Sequence, residues 1–220
     1  MRLLFFTLFP ELITPYFQVG VLGRGLKKGL FSIEVVNFRN YSKNRWQKVD
    51  TPVAGGGAGM VIDNIALRRG IEEKRRLYPN SRIIFLTPTG KQFTQKDGVR
   101  LAKEETLFLV AGRYQGFDER LIEDLAEELF SVGDYILSGG ELPALIVADA
   151  VLRNLEGVLG NADSLKGESF GSGGLEGPLF SKIGEIPEIL KSGHHRKIEE
   201  WRRQLGLLKT QFHRPDLLPL

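Results

Sequence analysis

Residues 82–132 read RIIFLTPTGKQFTQKDGVRLAKEETLFLVAGRYQGFDERLIEDLAEELFSV, and the alternation within them decides the fold. Arg82 to Thr87, Thr106 to Val110 and Glu128 to Val132 are short apolar runs of strand length, whereas Thr94 to Lys103 and Asp118 to Leu125 read as helices. Strands separated by helices predict a mostly parallel sheet with helices on both faces, an α/β fold. The pattern extends in both directions. Before it come a strand from Arg2 to Leu8 closed by Phe9-Pro10, a helix from Val19 to Gly29, a strand from Phe31 to Asn37, and a helix from Ile62 to Leu77 with Asp63 as its candidate cap. After it, Glu141 to Leu155 has Pro143 in its first turn and Leu145, Ala148 and Leu152 at helical spacing, which predicts a long buried helix.

Beyond that helix the composition changes. Gly157 to Gly177 is rich in Gly, Ser, Asn and Asp, with Gly171, Gly173 and Gly174 too close together for a regular element. Ile198 to Leu207 then carries Trp201 and Leu205 on one face and Glu199, Arg202 and Arg203 on the other. The expected organisation is an α/β domain over 1–160, a flexible linker over 161–177 and a small helical domain over 178–220.

A chain of 220 residues with 42% hydrophobic content supports one full core and an appended unit. No window approaches the roughly 18–20 apolar residues of a membrane span, and the start lacks the features of a secretory signal. A cytoplasmic protein without membrane contact is expected. The absence of cysteine removes disulfides and thiolate chemistry, and three histidines without a cysteine, two of them the adjacent His194 and His195, argue against a metal site. The net charge of +3 is unevenly distributed. Arg24, Lys27, Lys28, Arg39, Lys43, Arg45 and Lys48 make the start basic, Lys191 to Arg214 makes the end basic, and Glu104 to Glu128 is acidic. Solvated helix faces and phosphate-contacting surfaces both fit such clusters.

Three Gly-rich segments lie where strands should end, the usual ligand position in open α/β sheets. Ala54 to Met60 is read as leading into a helix, either as a tight turn or as a set of backbone amides for an anion. It lacks the Lys-Ser/Thr of a P-loop and the spacing of a dinucleotide fingerprint, which leaves ATPase and dehydrogenase readings with little support. Ala111 to Arg120 and Val132 to Pro143 are more specific, each setting glycines beside an aromatic ring able to stack on an adenine.

At these residues the chain resembles the TrmD family of bacterial tRNA (guanine-N1)-methyltransferases, in the SPOUT class. The resemblance covers nearly the whole chain: Phe9-Pro10, Gly55 to Met60, Leu86-Thr87-Pro88, the two long motifs, Asp149-Ala150-Val151 with Arg153, Gly157 to Gly160, Pro187 to His195, and Trp201-Arg202. It implies a trefoil knot in the C-terminal half of the sheet and S-adenosyl-L-methionine held bent in the knot loops, largely by backbone groups. That role falls by position on Leu86, Thr87 and Pro88, on Gly112, Tyr114, Gln115 and Gly116, on Ser131, Val132, Gly133, Asp134, Tyr135, Ile136 and Leu137, and on Gly139, Gly140 and Pro143. The implied reaction methylates N1 of the guanosine 3′ of the tRNA anticodon. N1 carries a proton at neutral pH, which calls for a base, and charge developing on the purine oxygen calls for a cation. The matching positions are Glu168, just before Ser169-Phe170, as base and Arg153 as cation. A homodimer with tRNA as partner is implied as well, with magnesium as a candidate second cofactor.

The chain departs from the family pattern at four places. Gln115 stands where Glu is usual, Glu168 where Asp is usual, Ala54 where Tyr is usual, and Leu179 to Lys182 replaces a segment bearing His, Tyr and Arg. These departures cluster on the catalytic and RNA side. They motivate two alternatives, a SPOUT homologue that binds RNA or cofactor with weak or lost transfer, and a SPOUT methyltransferase for another RNA site.

Overall fold

The computed structural model describes residues 1–165, 167–171 and 174–218; Lys166, Ser172 and Gly173 of the expected linker, and Pro219 and Leu220 at the end, lie outside the described residues. The chain forms two compact units, Met1–Gly160 and Asn161–Leu220.

In the first unit the strands are β1 (Arg2–Thr7), β2 (Ser32–Asn37), β3 (Asp50–Pro52), β4 (Met60–Ile62), β5 (Ser81–Gln92), β6 (Thr106–Ala111) and β7 (Glu128–Ser131). Five of them form one parallel sheet in the order β2-β1-β6-β5-β7, while β3 and β4 pair as an antiparallel hairpin. Successive side chains of a strand point to opposite faces, and here both faces are covered. Leu3, Phe5, Ile84, Leu86, Leu107 and Leu109 pack on one side, against α1 (Gly20–Lys27), α3 (Gln95–Leu101) and α5 (Glu141–Leu152). Leu4, Phe6, Ile83, Phe85, Phe108 and Val110 pack on the other, against α2 (Ala66–Leu77) and α4 (Glu119–Leu125).

Local chemistry sets the helix starts. The Asp63 side chain accepts from the amides of Ile65 and Ala66 ahead of α2, and Asp118 accepts from the amide of Arg120 at the start of α4. At α3, Asp97 reaches back to the amide and hydroxyl of Thr94, at 3.1 and 2.7 Å.

The structure corrects four expectations. Ile62 is the end of strand β4, not the start of a helix, and α2 begins at Ala66. The first Gly-rich segment consequently joins β3 to β4 and leads into a strand. Strand β5 runs on to Gln92, and between Leu86 and Lys91, both paired with Phe130 of β7, its register breaks and residues 87–90 loop out. Helix α5 stops at Leu152, with the Asn154 and Leu155 amides bonding back three residues in tight turns. Its buried side carries Ala144, Val147, Ala148 and Val151, but Leu142 and Ile146 are exposed.

The second unit contains α6 (Glu188–Lys191) and the 19-residue α7 (His195–His213), longer at both ends than the expected Ile198 to Leu207. Trp201, Gly206 and Thr210 each pack on the chain that precedes the helix. Thr210 Oγ1 accepts from the Leu175 amide at 2.8 Å, and a Cβ on Gly206 would meet the Leu175 carbonyl at 2.7 Å. The Trp201 ring lies 6.2 Å from that of Phe180. Described residues of the segment expected to be a linker are therefore bonded to α7. Among the described residues, no helix is long and apolar enough to cross a membrane.

Candidate active site

The carboxyl ends of β5, β6 and β7 open into a cavity of about 430 Å³, within the size range of small-molecule sites. Three stretches wall it: Leu86–Thr89 from the interruption in β5, Gly112–Phe117 after β6, and Phe130–Val132 with Gly133, Tyr135–Gly140 and Pro143 after β7. Of the residues expected at the cofactor, all line this cavity except Asp134, which is exposed outside it. Thr89, Arg113, Phe117, Phe130 and Ser138 line it too and were not anticipated. Arg113 lay in plain view between two glycines; Phe117 and Phe130 read as ordinary core residues, which they also are.

Five of the lining residues are glycines, and close approaches at glycines explain how the walls close. A Cβ on Gly140 would lie 2.5 Å from the Gly112 amide nitrogen, and the Gly140 amide donates to the Gly112 carbonyl at 2.7 Å. A Cβ on Gly90 would lie 2.5 Å from the Phe130 amide nitrogen, which is why β5 can return to β7 below the loop-out. Tyr114 takes the left-handed conformation, with φ of 60°, uncommon for a residue with a side chain and frequent at functional sites. Ser131 Oγ donates to the Gly133 carbonyl at 2.9 Å and accepts from the Gly133 amide, holding the β7 loop in its turn.

One buried ion pair braces two of the walls. The Arg113 guanidinium stacks on Phe9, 4.4 Å from the ring centroid, and donates to the Ser138 carbonyl at 3.1 Å. Its Nε lies 2.9 Å from Oε2 of Glu141, off the hydrogen-bonding direction, so the contact is ionic. Glu141 is 2% exposed and accepts a bond of 2.8 Å from Thr7 Oγ1. The Phe9-Pro10 opening thus reaches the site through Arg113.

Gln115 joins the cavity wall to the β3–β4 hairpin. Its amide nitrogen donates to the Ala58 carbonyl, and its side chain occupies the place a Cβ on Gly59 would take. With the Gln115 amide on the Met60 carbonyl and the Ile62 amide on the Gly116 carbonyl, both at 3.0 Å, the β3–β4 hairpin is stitched to the cavity wall. A carboxylate at 115 could not make the side-chain bond, since it has no proton to give Ala58.

Arg153 is half-buried at the C-terminal end of α5, its amide bonded to the Asp149 carbonyl at 3.1 Å. One turn earlier, Asp149 accepts from the Tyr16 hydroxyl, and that bond, with some burial, pushes the Tyr16 phenol up to about 12. Glu168 belongs to the second unit, half-buried ahead of a turn in which Phe170 has φ of 71° and its amide donates to the Gly174 carbonyl at 2.7 Å. Among the described residues, no group of three or more His, Cys, Asp or Glu side chains is placed to hold a metal ion.

A family model described as tRNA (Guanine-1)-methyltransferase TrmD matches residues 1–219. Among curated proteins, the tRNA (guanine-N(1)-)-methyltransferase of Wolinella succinogenes is 49% identical over 99% of this chain and 94% of its own length. Its counterpart of the same name in Helicobacter hepaticus is 46% identical over 99% and 92%. That of Campylobacter jejuni strain RM1221 is 46% identical over 99% and 97%.

Proposed function

The chain belongs to the tRNA (guanine-1)-methyltransferase family, and from that premise we propose that it transfers a methyl group from S-adenosyl-L-methionine to N1 of the guanosine 3′ of the tRNA anticodon. The observation that carries the reading is the glycine-rich cavity at the ends of the strands, whose close-packed glycines leave room for a nucleoside and whose apolar Leu86, Pro88, Ile136 and Leu137 suit its uncharged surfaces. The donor supplies an electrophilic methyl group on a sulfonium. The chain's residues do the rest. Residues 86–88, 112–116 and 131–140 would hold the donor, and Tyr114 and Tyr135 would offer it ring faces. Glu168 accepts the N1 proton as that nitrogen gains its methyl, and Arg153 meets the charge that develops on the purine oxygen.

Magnesium stands as a second cofactor of this reading, to which Gln115 contributes no charge. The knot belongs to the same reading. So does a homodimer, for which the exposed Leu142 and Ile146 of α5, beside the Tyr16–Asp149 bond, offer an apolar face. Residues 178–220 are the tRNA-binding part, residues 161–177 connect it, and the protein works in the cytoplasm.

The test is transfer of labelled methyl from S-adenosyl-L-methionine to transcribed tRNA with guanosine next to the anticodon, against an adenosine control, with magnesium varied. Guanosine-dependent transfer is expected. Glu168→Gln is expected to lower the rate at least 100-fold while leaving donor binding within a few-fold. Donor binding without transfer by the unaltered protein would overturn the enzyme reading in favour of a binding homologue, and a methylated nucleotide elsewhere would overturn the assigned site.

A further inference from the structure

The arm between Phe38 and Val49, both fully buried at its ends, carries a surface that the methyl-transfer site does not use. Residues 42–48 form a fixed turn. Ser42 Oγ donates to the Lys48 carbonyl at 2.7 Å, Asn44 Oδ1 accepts from the Trp46 amide at 2.8 Å, and the Gln47 amide donates to the Asn44 carbonyl at 2.9 Å. Arg39 closes the turn from outside through the Gln47 carbonyl at 3.2 Å. At its tip the indole of Trp46 is 78% exposed, with the Arg45 guanidinium 5.3 Å from the ring centroid.

Tryptophan is strongly buried on average, so a rigid turn that holds one out in water calls for a partner. The charges around it narrow the choice. Lys43, Arg45 and Lys48 are exposed and form no ion pair among the described residues. Behind the turn a cleft of about 260 Å³ has Lys43, Lys48 and Arg69 on its walls together with Asp50 and Asp63. Asp63 Oδ1 is already taken by the Ile65 and Ala66 amides. The two carboxylates disfavour a phosphate deep in the cleft, which leaves the lysines at its rim to receive one. An acidic peptide would use the cations and leave the indole idle. An unpaired nucleotide uses both, because every base has a flat face and every linkage a phosphate.

We infer that Trp46 stacks on an unpaired base of an RNA while Lys43 and Lys48 contact the flanking phosphates, an RNA surface made of residues different from those of the cofactor cavity. This rests on the reading of tRNA as substrate, and it names where the first unit would touch it.

The experiment measures tRNA binding by the full chain, its salt dependence and Trp46 fluorescence in a Trp201→Phe background. Trp46→Ala is expected to raise the Kd for tRNA about 5- to 100-fold, while Trp46→Phe stays within about threefold. Affinity for S-adenosyl-L-methionine should not move. Lys43→Gln with Lys48→Gln should lower the slope of log K against log salt by about 1 to 2. Bound tRNA should quench Trp46. An unchanged Kd for Trp46→Ala in a protein that still methylates tRNA would reject this surface and leave the functional reading intact. Competition by poly-glutamate equal to that by RNA would reject RNA in favour of an acidic partner. A wild-type chain that neither binds nor methylates tRNA would overturn both.

Discussion

At the scale of single residues, the Arg113–Glu141 pair explains more of the site than any side chain that lines it. Glu141 is buried at the first turn of α5, held by Thr7, and the guanidinium it faces is bonded to the loop after β7 while its own backbone belongs to the loop after β6. Glu141→Gln preserves shape and the Thr7 bond but leaves a largely covered cation without its counter-charge. A loss of about 3 kcal/mol in denaturant unfolding is expected, together with weaker donor binding. Glu141→Leu combined with Arg113→Met should recover stability without recovering binding, which would separate bracing from packing. At this scale the sequence was readable where glycine and aromatic stood side by side, as at 112–116 and 131–137. It was not readable at Phe117 and Phe130, because an apolar residue at a strand end looks the same whether it faces the core or a ligand.

At the scale of elements, two contacts make separable predictions. The Asp97 carboxyl is raised by burial but lowered more by the bonds from Thr94, Lys91 and Arg100, so that it lies below its usual value. A depressed carboxyl stabilises the folded state above the unfolded value of about 3.9 and loses that contribution as pH falls through the folded value. Asp97→Asn should therefore be about 1–2 kcal/mol less stable at pH 7, and the difference should close below pH ~4; a constant difference across that range would refute the cap's ionic character. In the second unit, Thr210 is 1% exposed and takes the Leu175 amide while donating to the Gly206 carbonyl at 2.7 Å. Thr210→Val should cost about 1–2 kcal/mol and speed hydrogen exchange at the Leu175 amide. Several strands were legible: β1, β2, β6 and β7 fall within a residue or so of expectation, β1 and β6 because buried parallel strands are continuous apolar runs. The β3–β4 hairpin was not, since Asp50-Thr51-Pro52 has no apolar alternation. The extension of β5 was hidden by Pro88 and Gly90, which ordinarily end a strand.

At the scale of the whole molecule, the division after Gly160 separates the cavity from the residue read as the base. A ligand that binds only the folded cavity stabilises by about 2.7 kcal/mol at 100 times its Kd. S-adenosyl-L-methionine should therefore slow exchange of core amides in residues 1–160, such as Phe108 and Val110, and leave those of α7 unchanged in the absence of RNA. Protection spreading equally to α7 would mean that the two units respond as one.

The close backbone approaches at the glycines of the cavity wall have a consequence for selection under an inhibitor. A compound that reads peptide groups of residues 112–116 and 131–140 offers few side chains to alter. The glycines whose replacement would change the shape are those where a new Cβ meets backbone at 2.5 Å, at Gly90 and Gly140. Escape by substitution there would forfeit the fold of the wall itself, so resistance to such a compound is expected to spare Gly90 and Gly140 and to fall on the side chains around them.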